Sequence, residues 1–377
     1  MLHAAIVAAG ALRCGASCTM GPTMQAGVRG HTSPTPLARL DVITRARRAL
    51  LDGDTRQADA LVAPWIARSW RRCLALGLAP QRRVGFDAVS DATMRRAHEH
   101  NRLLTQAAHD TLHDLGRALA DTRYFAILTN ADGVVVDTSG PIDRSDRRAD
   151  LITRIGVDLS EPCVGTTAIG AALTDRQPVW LHRGEHFFDD TAIYSCAGVP
   201  LFGPSGACVG MLDLTGVEVP ERPELLHLAL QSARGIENRL TLQQPHALLL
   251  RLNWPGHALG GDTDALVVLD ADGQVRGCNR AARDMLPPLH GPGGQHGPLP
   301  HADDLFALPF AMLFDASRRV QATVDVPLWS GLHLQALCLR AGKPLPAAAA
   351  APAGRGAAPV AADTLDVAGQ QRLRDLE

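Results

Sequence analysis

The 377-residue chain holds a single lysine, Lys343, two tyrosines and no CxxC pair among its eight cysteines. Each shortage excludes something. A phosphate-cradling GxxxxGK[ST] loop needs a lysine with glycine six residues before it and a hydroxyl after it. Lys343 has Leu337 and Pro344 in those places, so no such ATPase loop is present. Without paired cysteines there is no zinc-ribbon or dithiol signature, and a reduced, cytoplasmic protein is expected. No apolar run is long enough to cross a bilayer, so no membrane partner is expected. A formal net charge of −2 gives no global attraction for nucleic acid. Residues 1–12 resemble a short signal-peptide core, but no basic residue precedes them. A disordered leader over 1–38 is expected, with Met20 and Met24 as alternative starts.

What is there is patterned. Hydrophobic residues make up 46% of the chain, which suits globular cores, and the length suits two of them. Residues 39–90 read as a basic helical lead-in, with apolar spacing at Leu40, Ile43, Ala46 and Leu50, then at Ile66, Trp70, Cys73 and Leu74. A solvated helical face explains the arginines there better than a DNA arm does. Residues 91–121 read as one long amphipathic helix with a stripe through Leu104, Ala108, Leu112, Leu115 and Leu119. Two β-rich runs flank Asp132-Gly133 as a hairpin. The segment 156–216 holds the densest apolar pattern: a helix over 162–174, a short strand over 178–181, a polar aromatic loop over 182–194, and strands over 195–202 and 207–215. A second amphipathic helix follows at 223–242. Then 265–279 repeats the apolar–Asp-Gly–apolar pattern of 125–139, a helix runs over 279–286, and strands are expected at 320–326 and 332–340. Residues 342–377 read as an Ala/Pro/Gly-rich linker and the start of a further element.

These residues carry a family likeness. Residues 69–80 (SWRRCLALGLAP), 101–112 (NRLLTQAAHDTL), 159–173 (LSEPCVGTTAIGAAL), 185–187 (EHF), 195–206 (SCAGVPLFGPSG) and 210–216 (GMLDLTG) occur in an order and spacing. That series resembles the sensory region of acetoin-catabolism-type, sigma-54-dependent, Fis-family bacterial transcriptional regulators. Leu159 stands where the family usually has Trp, and Thr167 where it has Asn. The resemblance implies an α+β fold, with a GAF-like antiparallel sheet domain at 91–243 followed by a smaller PAS-like domain at 262–341. It also implies a small-molecule effector, and DNA contact only through an output domain not visible here. A homodimer through helices 95–121 and 223–242 is expected, and no enzymatic activity.

In such a fold the effector sits between the sheet and the loops over one face. Trp180, Phe187 and Tyr194 are expected as walls, and His182, Glu185, His186 and Cys196 as polar contacts. The same His, Glu and Cys residues with Asp189 form a weak metal set, because Gly184 breaks the helical spacing two histidines need. No metal and no cofactor is expected. Cys163, Cys196 and Cys208 raise a thiol-dependent sulfoxide reductase as a remote alternative. His290, His296 and His301 around the 291–300 loop raise a haem or metal role that is remoter still. Asp213 is assigned a structural hydrogen bond, since no base or nucleophile pairs with it.

Overall fold

The computed structural model describes residues 36–86, 89–290, 299–319 and 322–341. Three lead-in helices come first: α1 (Pro36–Leu51), α2 (Thr55–Leu61) and α3 (Pro64–Ala75). Pro64 opens α3 at a position whose N–H has no helical acceptor to lose. The expected helix at 91–121 is two helices, α4 (Asp91–His100) and α5 (Arg102–Ala118). The joint is Asn101, which leaves helical geometry and turns its side-chain amide back onto the Ala97 carbonyl. An Asn side chain competes in this way with the helical ladder.

The first sheet is antiparallel, with strand order β2-β1-β5-β4-β3. Its strands are β1 (Tyr124–Asn130), β2 (Val135–Ser139), β3 (Val179–His182), β4 (Tyr194–Phe202) and β5 (Cys208–Val217). Between them lie α6 (Arg147–Ile152), α7 (Glu161–Val164) and α8 (Ala168–Asp175). Residues 162–174 are thus two helical pieces rather than one, parted at Gly165, whose positive φ would strain any other residue.

Alternation along the strands sorts the two faces. Tyr124, Ala126, Leu128, Ala197, Val199, Leu212 and Leu214 pack against α5 and the later helix α9 (Leu225–Leu242). The apolar stripes expected on these helices, Leu104 to Leu119 and Ala229 to Leu240, are therefore covered by the chain's own sheet. On the outer sides of these helices Leu103 and Leu230 stay exposed. The opposite face carries Phe125, Ile127, Cys196, Met211 and Val217 under α6, α8 and the loops between them. This is the GAF-like arrangement of an α+β fold.

The second sheet has order β8-β7-β6-β10-β9, formed by β6 (Leu248–Asn253), β7 (Ala265–Leu269), β8 (Val275–Cys278), β9 (Thr323–Pro327) and β10 (His333–Arg340). Three helices, α10 (Arg280–Met285), α11 (Ala302–Leu305) and α12 (Phe310–Ala316), accompany it. Strand β6 lies at the centre of this sheet, although it precedes residue 262, where the second unit is expected to begin. Both sheets start their edge hairpin with one device. Asn130 accepts the N–H groups of Asp132 and Val134, and Asp270 accepts those of Asp272 and Gln274. Gly133 and Gly273 complete the turns at positive φ. The segments 1–35, 291–298 and 342–377 lie outside the described residues, with the leader, loop and linker expected there.

Candidate ligand site

Strand β5 presents Met211, Asp213 and Thr215 to the loop-covered face of the first sheet, where the register sets Asp213 opposite Ile127 on one side and Gly198 on the other. A side chain at Gly198 would collide with Met211 and Ala168, so glycine there lets α8 and Met211 pack closely on the strand. Above this strand a partly open cavity of about 30 Å³ lies between the sheet and its cover. Its apolar walls include Ile127, Ile152, Leu159, Val164 and Ile169. Its polar end is made by Asp213, Thr215, Cys196 and His186.

Charge at that end is set by burial. Desolvation pushes the Asp213 carboxyl up to about 7, against the pull of the Thr215 hydroxyl that donates to Oδ2. The other oxygen, Oδ1, is buried and has no hydrogen-bond partner. Burial, and then the Asp213 charge, raise the Cys196 thiol well above its usual value. Burial lowers His186 to about 4, so its ring is neutral. Its Nδ1–H donates to the Arg183 carbonyl at 2.9 Å, leaving Nε2 as the acceptor 3.5 Å from Cys196 Sγ. Tyr194 and Thr191 commit their hydroxyls to the carbonyls of Arg148 and Phe188.

Of the seven residues expected to make the site, three line this cavity: His186, Tyr194 and Cys196. The other four do not, and strand register is the reason for two of them. Leu181 is the residue opposite Cys196, so Trp180 and His182 point to the other face. Trp180 packs toward the α5–α9 core and donates its indole N–H to Glu221 at 3.0 Å. His182 pairs with the Ser195 hydroxyl at 2.8 Å, and burial lowers it to about 4. Glu185 faces the lead-in: it accepts the His182 N–H at 2.7 Å and binds Arg39 at 3.0 Å. Burial raises it to about 7, with Arg39 opposing. Phe187 packs with Trp70 and Leu50 in the core between the lead-in helices and the loop. Asp213 makes the structural hydrogen bond assigned to it, from the Thr215 hydroxyl; its open second oxygen is a property of the packed molecule and leaves no mark in sequence.

Among the described residues, no group of three His, Cys, Asp or Glu is placed to hold a metal. His301 is committed to Asp303 N–H and the Asp272 carbonyl, while His296 and the side chain of His290 lie outside the described set. A thiol relay between Cys196 and Cys208 fails on distance. Cys196 is opposite Thr215, and Cys208 is seven residues down the same strand, roughly 20 Å away at the rise of a β-strand. Disulfide chemistry needs Cα atoms within about 7 Å. Cys208 is half-buried rather than fully buried. No helix among the described residues is long and apolar enough to cross a membrane.

The first sheet, with a mostly apolar cavity under a tied-down loop, has a GAF-like architecture. The chain belongs to the family described as the MimR N-terminal domain, which matches residues 40–238. It is 32% identical over 260 residues to the acetoin catabolism regulatory protein of Cupriavidus necator, covering 67% of this chain and 37% of that one. It is 31% identical over 198 residues to the propane 2-monooxygenase operon transcriptional activator MimR of Mycolicibacterium goodii, covering 52% and 33%. The chain therefore spans about a third of the length of these curated relatives. Among solved structures, the Escherichia coli DhaR(N)–DhaL complex aligns over 75% of this chain and all of that one, with 15% identity and a TM-score of 0.45.

Proposed function

We propose that this chain is the ligand-sensing regulatory part of a bacterial transcriptional regulator, without enzymatic activity of its own. A small molecule enters the cavity above β5. The observation that carries this reading is Asp213, which lines the cavity and whose buried Oδ1 has no hydrogen-bond partner. An orphaned buried acceptor costs about 1–3 kcal/mol, which a ligand donor recovers. His186, Tyr194 and Cys196 are proposed as ligand contacts, and Trp180, His182, Glu185 and Phe187 as supports of the surrounding frame. The relatives' names support a role in transcription control, and the second sheet serves as a PAS-like relay.

Ligand acts only through unequal affinity for two arrangements. The elements placed to report occupancy are α1, which holds the loop over the cavity, and α9, whose Glu237 accepts the Phe202 N–H from β4 and binds Arg280 of α10. A homodimer would use the outer sides of α5 and α9. Thermal-shift screening against small diols, ketones and aromatics tests the reading, with Val164→Phe as the filled-cavity control. A ligand that stabilises the native chain and leaves Val164→Phe unshifted supports it. Equal shifts in both, or none in the whole screen, reject it. A second reading, a module acting through protein contacts, is favoured by the exposed Trp329, Leu332 and Met312 of the second unit.

A further inference from the structure

We propose that the cavity selects a compact, uncharged molecule carrying a hydroxyl-type hydrogen-bond donor, with Asp213 Oδ1 as its anchor, and that it rejects carboxylates and phosphates. The inference rests on the sensing role above and narrows it to a ligand class.

Size comes first. A space of about 30 Å³ holds roughly two waters, so the ligand portion beside Asp213 is a few heavy atoms. Polarity comes next. Oδ2 already takes the Thr215 hydroxyl, and Oδ1 is the open acceptor. A ligand offering only acceptors leaves Oδ1 orphaned and sets a second lone pair against it. Thr167 accepts the Gly170 N–H and keeps its own hydroxyl proton, so a ligand group that both donates and accepts fits the lining, as a hydroxyl does. Charge decides the rest. Among the described residues, the cavity lining includes no Arg or Lys, so an anion meets the Asp213 carboxylate in a low-dielectric space with no lining cation to offset it. An ammonium brings three donors to one open acceptor and leaves the others against Ile127 and Ile169. The carboxylate offsets the charge of such a cation, but its remaining N–H groups are buried without acceptors, and that cost disfavours it.

The other titratable groups facing Asp213 are His186 from the loop and Cys196 and Tyr194 from β4. Burial holds His186 near 4 and keeps the Cys196 and Tyr194 protons on, so of the groups lining the cavity Asp213 is the one that changes state between pH 5.5 and 8.5. Glu185, raised to about 7, titrates outside the cavity against Arg39.

The test uses four probes of similar size, ethanol, acetonitrile, acetate and ethylammonium, titrated into the full chain at pH 8.5 by saturation-transfer NMR. Ethanol is expected to bind saturably, and the other three to bind roughly tenfold more weakly or worse. Asp213→Asn keeps the side-chain shape but turns an N–H toward the cavity while its carbonyl takes Thr215. It is expected to gain acetonitrile, an acceptor only, while ethanol, whose oxygen can accept that N–H, still binds. If that variant misfolds, the native chain at pH 5.5 is expected to gain acetonitrile in the same way, since the proton then sits on Oδ1. Tighter binding of acetate or ethylammonium overturns the ligand class and leaves the sensing role standing. An unchanged ranking in both Asp213→Asn and native chain at pH 5.5 removes Asp213 as the anchor. Silence from all four probes means that Oδ1 is satisfied by water alone, and the proposal falls, while the wider screen with Val164→Phe judges the sensing role separately.

Discussion

Arg47 of α1 and His186 of the cavity loop meet back to back: the guanidinium binds the His186 carbonyl at 2.5 Å while the His186 ring lines the cavity. Arg47 also takes the carbonyls of Gly184 and Phe187 and pairs with Asp189 at 2.8 Å. One lead-in side chain thus fixes the loop over the cavity. Burial lowers the Arg47 pKa, with Asp189 opposing the shift. Arg47→Met keeps the stem packing and removes these bonds. It is expected to cost about 2–4 kcal/mol, below the sum of its bonds because they share one guanidinium. Urea unfolding measures the cost, and faster amide exchange over 184–189 locates it.

Asp213 makes stability depend on pH in a definite direction. Its folded pKa, about 7, lies above the ordinary carboxylate value of 3.8. Between those two values the folded chain holds the proton more tightly, so this contribution to stability is present at low pH and is lost as pH rises toward 7. Asp213→Asn lacks the effect. The stability difference, variant minus native, is expected to grow in the variant's favour from pH 4 to pH 7 and then level off. Buried His186 and His182, held near 4, act in the opposite sense over this range, but they are common to both proteins and cancel in the difference. Paired melting curves across pH read it out.

SWRR of the lead-in and SEP of the first unit meet in the fold. Ser69 donates to Glu161 Oε2 at 2.5 Å, and Arg72 grips both Glu161 oxygens at 2.6 and 2.8 Å. The Glu161 side chain is 8% exposed, so losing Arg72 leaves a buried charge unpaired. Arg72→Met is expected to cost about 3–5 kcal/mol. Adding Glu161→Gln to it should recover part of the loss, and a double-mutant cycle by denaturant unfolding checks that coupling.

Between the two units, α9 reaches across with Asn238, which bonds to Asp262 and Asn279, and with Glu237, which touches both. Glu237 accepts the Phe202 N–H at 2.9 Å and Arg280 at 3.1 Å, and it is buried. Glu237→Ala is expected to loosen the docking of the second sheet by about 1–3 kcal/mol. Limited proteolysis should then cut between α9 and β6 while the first unit keeps its ligand affinity.

The hairpins were legible because local chemistry makes them: Asn130 and Asp270 bond to their own turns, and Gly133 and Gly273 supply positive φ. The amphipathic helices were legible because one face of each is buried. Strand β6 was not, since Leu248–Asn253 is buried on both faces and shows no alternation. Its one charge, Arg251, is paired with Asp264 at 3.3 Å inside the fold. At the site, residue types announced chemistry but not direction. Trp180 and Leu181 are neighbours in sequence, and only the pairing of Leu181 with Cys196 says which of them faces the cavity. Asp213 was read as satisfied by structure, because a missing partner is visible only once every neighbour is in place.

The most direct test of the account is hydrogen exchange over 183–191 and α1, measured with and without the ligand found by thermal-shift screening. Ligand in the cavity is expected to slow exchange in the loop and in the Arg47 turn of α1, and the Val164→Phe chain should show neither change. Protection confined to the second sheet, with the loop and α1 unaffected, would contradict it.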